Sequence, residues 1–209
     1  MKKILLKVAI TVCGLVAFAS ANAGVPISFA FQGGYTAPQF KQKGFEDVNY
    51  DAKLGIGGDF DVLYHLEQLD NKLGVGLTCQ GALIFIGDFD DFSNTGFYGL
   101  SLYGAKGQWR FFNSKVSPYG ALSFGLSRFA TPDWKNDDGK IITKGKNAFG
   151  FGARPELGVE FGVFFLSAGY MIPMKYTFKE TLGGKTYEDS YNVGSFQFNM
   201  GLRFSLFRR

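Results

Sequence analysis

From Ser195 to Leu206 apolar side chains recur at every second position: Phe196, Phe198, Met200, Leu202, Phe204 and Leu206. Gln197, Asn199, Gly201, Arg203 and Ser205 stand between them. A period of two marks an extended strand with one apolar face and one polar or small face. A strand of about ten residues, tilted by about 45°, matches the ~25 Å apolar band of an outer membrane.

The same alternation predicts seven further strands. They span about 26–36, 50–64, 72–86, 96–111, 117–129, 147–161 and 164–174, before the closing strand at 195–209. Their apolar faces include Phe29, Phe31 and Tyr35; Leu54, Ile56, Phe60, Val62 and Tyr64; and Leu73, Val75, Leu77, Cys79, Leu83 and Phe85. In the fourth strand Tyr98, Leu100 and Leu102 occupy one parity, while Trp109 and Phe111 occupy the other. A bulge near 104–107 would reconcile the two halves. Pro155, inside the sixth strand, has no N–H to donate and demands a bulge or a missing ladder bond.

The opposite faces are charged and glycine-rich. They carry Asp59 and Asp61, then Arg154, Glu156 and Glu160, then Gln197, Asn199, Arg203 and Ser205. Eight strands could not hold so many Phe and Leu side chains inside, but those side chains fit if they face lipid. The charged faces then line the lumen, where Arg154 and Arg203 can pair with Glu156, Glu160, Asp59 and Asp61. Glycine between them leaves room for long side chains to cross a narrow barrel. Hydrocarbon admits no open sheet edge, so the sheet must close. The expected fold is all-β: an eight-stranded antiparallel up-and-down transmembrane barrel.

Connections alternate in length. Those at 65–71, 112–116 and 162–163 are short, and those at 37–49, 87–95, 130–146 and 175–190 are longer and polar. In outer-membrane barrels the short turns are periplasmic and the long loops extracellular. An even strand count then places both termini in the periplasm.

Residues 1–23 read as a secretory signal peptide. Lys2, Lys3 and Lys7 precede a short apolar stretch, and Ala21-Asn22-Ala23 gives a small-residue cleavage site before Gly24. The stretch is short for a membrane-spanning helix. Residues 24–209 then form one barrel domain. Three of the 22 basic residues leave with the leader, against 18 acidic ones, so the remainder is close to neutral and suggests no nucleic-acid partner. Cys79 alone remains, which excludes an internal disulfide.

With leader, alternation and the closing segment Asn199-Met-Gly-Leu-Arg-Phe-Ser-Leu206 in view, the chain resembles the small eight-stranded outer-membrane barrels, the OmpA-, OmpX- and OmpW-like porin-related superfamily. The resemblance covers 24–209 at the level of pattern. It implies insertion by the barrel-assembly machinery, with Asn199, Gly201, Phe204 and Leu206 as the signal read by it. Such signals often end on an aromatic residue, whereas Arg208 and Arg209 follow Phe207 here. The implied surroundings are outer-membrane lipids and lipopolysaccharide, the implied state is a monomer, and a surface ligand would meet the long loops.

Catalytic chemistry is poorly represented. His65, the single histidine, falls in a predicted periplasmic turn, away from outer-leaflet lipid A. Ser123 and Ser127 have no histidine nearby in sequence. No Cys/His set fits zinc. Asp88, Asp90, Asp91 and Asn94, or Asp133, Asn136, Asp137 and Asp138, offer oxygen ligands for calcium, but solvated loops explain them better. Tyr35, Tyr64, Tyr98, Tyr119, Tyr170 and Trp109 are expected as interface girdles. We therefore expect no catalytic residues, no metal and no cofactor. The leading expectation is a structural or surface-interaction role with a plugged lumen. A narrow channel or conduit for small or hydrophobic solutes competes with it, and an outer-leaflet lipid-modifying enzyme is the third reading.

Overall fold

The computed structural model describes residues 26–42, 54–86, 96–135, 141–182 and 185–205. Eight long strands are β1 (Ile27–Gln42), β2 (Leu54–His65), β3 (Leu73–Ile86), β4 (Gly96–Arg110), β5 (Val116–Ala130), β8 (Asn147–Phe161), β9 (Phe164–Leu182) and β10 (Lys185–Ser205). β6 (Trp134–Lys135) and β7 (Ile141–Thr143) form a small separate hairpin between β5 and β8. The eight strands close into one antiparallel barrel in the order β1-β10-β9-β8-β5-β4-β3-β2. Closure pairs Ser28 with Ser205 and Gln42 with Tyr191, so the first strand meets the last. Among the described residues no helix is long and apolar enough to cross a membrane.

The tight turns lie at one end. Residues 66–72 wind through a short 3-10 turn, with Asp70 at φ 52° and Asn71 at φ 58°. Asp and Asn tolerate this left-handed region better than other side chains. At the same end Gly162, at φ 65°, reverses the chain between β8 and β9. At the other end β9 and β10 run on well past the predicted limits of 174 and 195. They are held across the pair by Lys179 Nζ to Glu188 Oε1 at 2.6 Å. Hydrogen bonding and the paired charge raise the Lys179 amine above its usual range and lower the Glu188 carboxyl. The pair is exposed and contributes little to stability.

The outward faces of β2, β3, β5, β8 and β10 are those read from the sequence. Leu77, Leu157 and Met200 are 69%, 68% and 67% exposed, and Phe151 is 60% exposed. β4 departs from expectation. Its registers with β3 and β5 run without a shift, so there is no bulge near 104–107. Tyr98, Leu100 and Leu102 point inward together with Lys106, Gln108 and Arg110, while Tyr103 and Trp109 point out. Tyr98 and Tyr119 are therefore interior residues, not girdle anchors. Tyr35 and Tyr64 are exposed, as expected for a girdle.

The irregularities lie on β8 and β9. Between Met171–Ser195 and Met174–Val193 two β9 residues, 172 and 173, face Gly194 alone. Pro173 thus sits in a bulge, where a missing N–H is tolerated. The β8–β9 ladder joins only Glu156–Phe161 to Phe164–Gly169. Above Pro155, among the described residues, no ladder joins the first half of β8 to β9. Here the missing ladder bond demanded by Pro155 is a missing half-ladder.

Candidate functional site

The barrel interior has two storeys. The one nearer the tight turns is ionic. Lys106 donates to Asp61 at 2.7 Å and reaches Glu156 Oε1 at 3.3 Å. Arg154 Nη1 lies 2.5 Å from Asp59 Oδ2, and its Nη2 lies 3.2 Å from Glu156. Gln32 donates to the same Asp59 oxygen, and Thr78 to Asp61 at 2.6 Å. The Tyr119 hydroxyl donates to Glu156 at 2.9 Å. One level towards the turns, Arg203 donates to Glu160 at 2.6 Å, Gln108 donates to the same oxygen at 3.0 Å, and Arg110 lies 3.8 Å from the other. The Arg203 guanidinium lies over the Phe165 ring at 5.2 Å and the Tyr119 ring at 5.5 Å, a further compensation for a desolvated cation.

Local sequence makes this packing feasible. A Cβ added to Gly169 would collide with the Arg154 guanidinium, and one added to Gly158 with the Tyr119 ring. Each long side chain crosses the lumen over a position without one. Four cations, Lys106, Arg110, Arg154 and Arg203, meet four carboxylates, Asp59, Asp61, Glu156 and Glu160, and all are buried. The balance matters because an unpaired charge here would bear its full desolvation cost.

The storey nearer the long connections is apolar. Phe129, fully buried, stacks on Tyr98 at 5.3 Å between centroids and meets Tyr176 at 5.4 Å. Leu100, Leu102, Ile84, Met171 and Val193 complete the cluster, and the Tyr176 hydroxyl bonds to Ser127. The two storeys together fill the interior, since their side chains are almost wholly buried.

The six lumen residues named from sequence, Asp59, Asp61, Arg154, Glu156, Glu160 and Arg203, are all interior. They fall in two groups, one around Arg154 and Lys106 and one around Glu160. Sequence reasoning missed Lys106, Arg110 and Tyr119. No inward face is assigned to the fourth strand from its sequence, which leaves out the first two, and an expected girdle role concealed the third. His65 is not a turn residue. It ends β2 fully buried, with Nε2 2.7 Å from Ser28 Oγ and Nδ1 3.2 Å from the Asn71 carbonyl oxygen. Ser28 is 1% exposed, so this Ser–His contact is sealed from substrate. Of the assembly-signal residues, Asn199 is buried, Gly201 is half-buried on the inward face, where a Cβ would meet Phe165 and Gln32, and Phe204 points out. Leu206 lies outside the described residues, as do both calcium candidates apart from Asp133, which is exposed. Among the described residues no group of His, Cys, Asp and Glu could hold a metal ion.

No protein-family model matches the chain, and no curated protein matches it in sequence. Solved structures do. Neisserial surface protein A is 16% identical over 85% of this chain and 96% of its own, with a TM-score of 0.51. Ail of Yersinia pestis, solved with the heparin analogue sucrose octasulfate, is 18% identical over 85% of this chain and 99% of its own, with a TM-score of 0.47. The N-terminal β-barrel domain of Pseudomonas aeruginosa OprF is 14% identical over 87% and 99%, with a TM-score of 0.39. The likeness to the neisserial protein shows the fold: this chain folds as a small eight-stranded barrel of the outer-membrane kind.

Proposed function

We propose that residues 1–23 are an export leader and that 24–209 form a monomeric outer-membrane barrel with a structural or surface-interaction role. The observation that carries this reading is the filled interior. Charged residues such as Arg154 and Glu160 and apolar residues such as Phe129 and Ile84 are all fully buried inside a wall whose outer face is apolar. A lumen so occupied is a plug. The extended β9–β10 hairpin rises on the side of the long connections, where a surface ligand would meet it. The single Ser–His pair is inaccessible, which supports a role other than catalysis.

The same reading places the tight turns and both termini in the periplasm. With Cys79→Ser as background, Lys144→Cys should react with an impermeant maleimide on intact cells, and Asn113→Cys should react only after the outer membrane is opened. Both positions are exposed. Labelling of Asn113→Cys alone on intact cells would invert the topology.

The barrel-assembly machinery is the proposed reader of the last strand. Neither polar atom of the buried Asn199 amide finds a hydrogen bond among the described residues. Its identity is thus unexplained by the folded barrel, which supports recognition before folding.

A second reading, a conduit for hydrophobic solutes, is favoured by one specific observation. The apolar storey lies beside the unladdered half of β8 and β9, so Met171 and Tyr176 adjoin a seam in the wall. Planar bilayers and dye-loaded vesicles separate the readings. The plugged barrel should give little ion conductance and no transfer of a fluorescent fatty acid. Transfer without conductance would favour the seam, and a large steady conductance would overturn the plug.

A further inference from the structure

We propose that the outer wall carries a binding groove for a phosphate-bearing acylated lipid of the lipid A class. Its acyl chain would lie across β2 to β5 and its phosphate on Arg128. The proposal rests on the outer-membrane reading above and specifies a lipid partner within it.

Register alone builds the groove. Gly58 pairs with Gly81, Gly81 with Ser101, and Ser101 with Arg128. Residues directly opposite in a ladder share a face, and here that face is outward, since Ile56, Leu83 and Phe97 beside it are about half exposed. Three small residues in line remove the side-chain layer between flanking apolar rows. The result is a groove of about 530 Å³, floored by Gly58, Gly81 and Ser101. At roughly 4.8 Å per strand it runs about 14 Å to Arg128.

Arg128 is the observation that selects the occupant. It alternates with Phe124 and Leu126 on the outward face of β5, two residues from the end of the strand. A cation facing lipid is costly near the midplane and tolerated near the interface. Its head leans to the rim, where Nε and Nη2 donate to Asn147 Oδ1 at 2.9 and 2.7 Å. Asn147 is neutral, and no carboxylate of the described residues pairs with the guanidinium. Asp133, on the same rim, instead accepts from the Gly145 N–H. The counter-charge is therefore to be supplied by the membrane. Apolar groove and unpaired cation together demand an amphiphile with an anionic head. The long connections mark this end as the extracellular one, where the anionic lipid is the phosphorylated glycolipid. A second copy of this chain fits worse, because a two-fold contact through the groove would bring two Arg128 cations together.

Gly81 makes the test clean. A Cβ there meets nothing within 4 Å, so Gly81→Leu fills the groove without disturbing the barrel. Gly107 is equally open but lies elsewhere on the wall, between Val75 and Leu122. Wild type, Arg128→Gln, Gly81→Leu and Gly107→Leu would be refolded into vesicles and checked by heat-modifiable mobility. Each would then be titrated by native mass spectrometry with diphosphoryl lipid A and with phosphatidylglycerol. Wild type and Gly107→Leu should retain lipid A in preference to phosphatidylglycerol. Arg128→Gln should lose about tenfold in affinity or more, the worth of a charge-assisted hydrogen bond, and Gly81→Leu should lose at least as much. Equal retention of the two lipids by wild type, or undiminished lipid A binding by Gly81→Leu, would overturn the groove. A wild-type chain that never enters the vesicles would overturn the membrane reading itself.

Discussion

Lys106→Met should destabilise the folded barrel by about 3–5 kcal/mol, the usual penalty for removing one partner of a buried ionic set. Lys106 is 1% exposed and bridges Asp61 and Glu156, at 2.7 and 3.3 Å. Without its ammonium, Asp61 retains, among the described residues, only Thr78 as a donor, and Glu156 retains Tyr119 and Arg154. Urea unfolding in detergent, followed by tryptophan fluorescence, measures the loss. Asp61→Asn in the same chain should recover part of it, because the orphaned carboxylate is then gone. A loss below about 1 kcal/mol, the scale of an exposed pair, would show that water already reaches these charges and that the lumen is not a dry plug.

Phe151→Arg should cost about 2–4 kcal/mol in lipid vesicles, since Phe151 lies on the outward apolar face near the middle of β8, where lipid is expected. The side chain is 60% exposed and touches the Phe124 ring at 6.4 Å between centroids. Leu202→Arg should cost a similar amount two strands round the wall, where β10 meets β1 at Phe31. Reversible unfolding from vesicles of defined thickness gives both numbers. The penalty should shrink in detergent micelles, which deform around a guanidinium more readily than a bilayer. A neutral result at both sites in vesicles would mean that the apolar wall meets something other than lipid.

Much of the barrel was legible in the chain because its two sides meet different solvents. Phe196 to Phe204 alternate with Gln197 to Arg203 because lipid lies on one side and a charged interior on the other, and period two is all the backbone permits. Strand number and the outward faces of β2, β3, β5, β8 and β10 follow from that local rule, while the disruption at Pro155 follows from its missing N–H. The six charged residues placed in the lumen were readable for the same reason. They sit at the parity opposite long apolar runs.

β4 shows where local pattern stops. Tyr98, Leu100 and Leu102 alternate with Gly99 and Ser101, and on their own they look like a lipid face. Alternation says that two faces differ, but not which one is inside. The neighbours decide: Leu102 stands opposite Gln80 and Ser127, whose interior positions force Leu102 inward. That single parity places Lys106, Gln108 and Arg110 in the ionic storey and leaves an apolar storey above it. The groove towards Arg128 has the same origin, since Gly58, Gly81 and Ser101 are far apart in sequence and become a line only through register. The chain by itself determined that eight strands would alternate between lipid and interior. Closure of the barrel decided which residues share a level, because hydrogen-bonded register, a property of strand pairs, carries no signal in either strand alone.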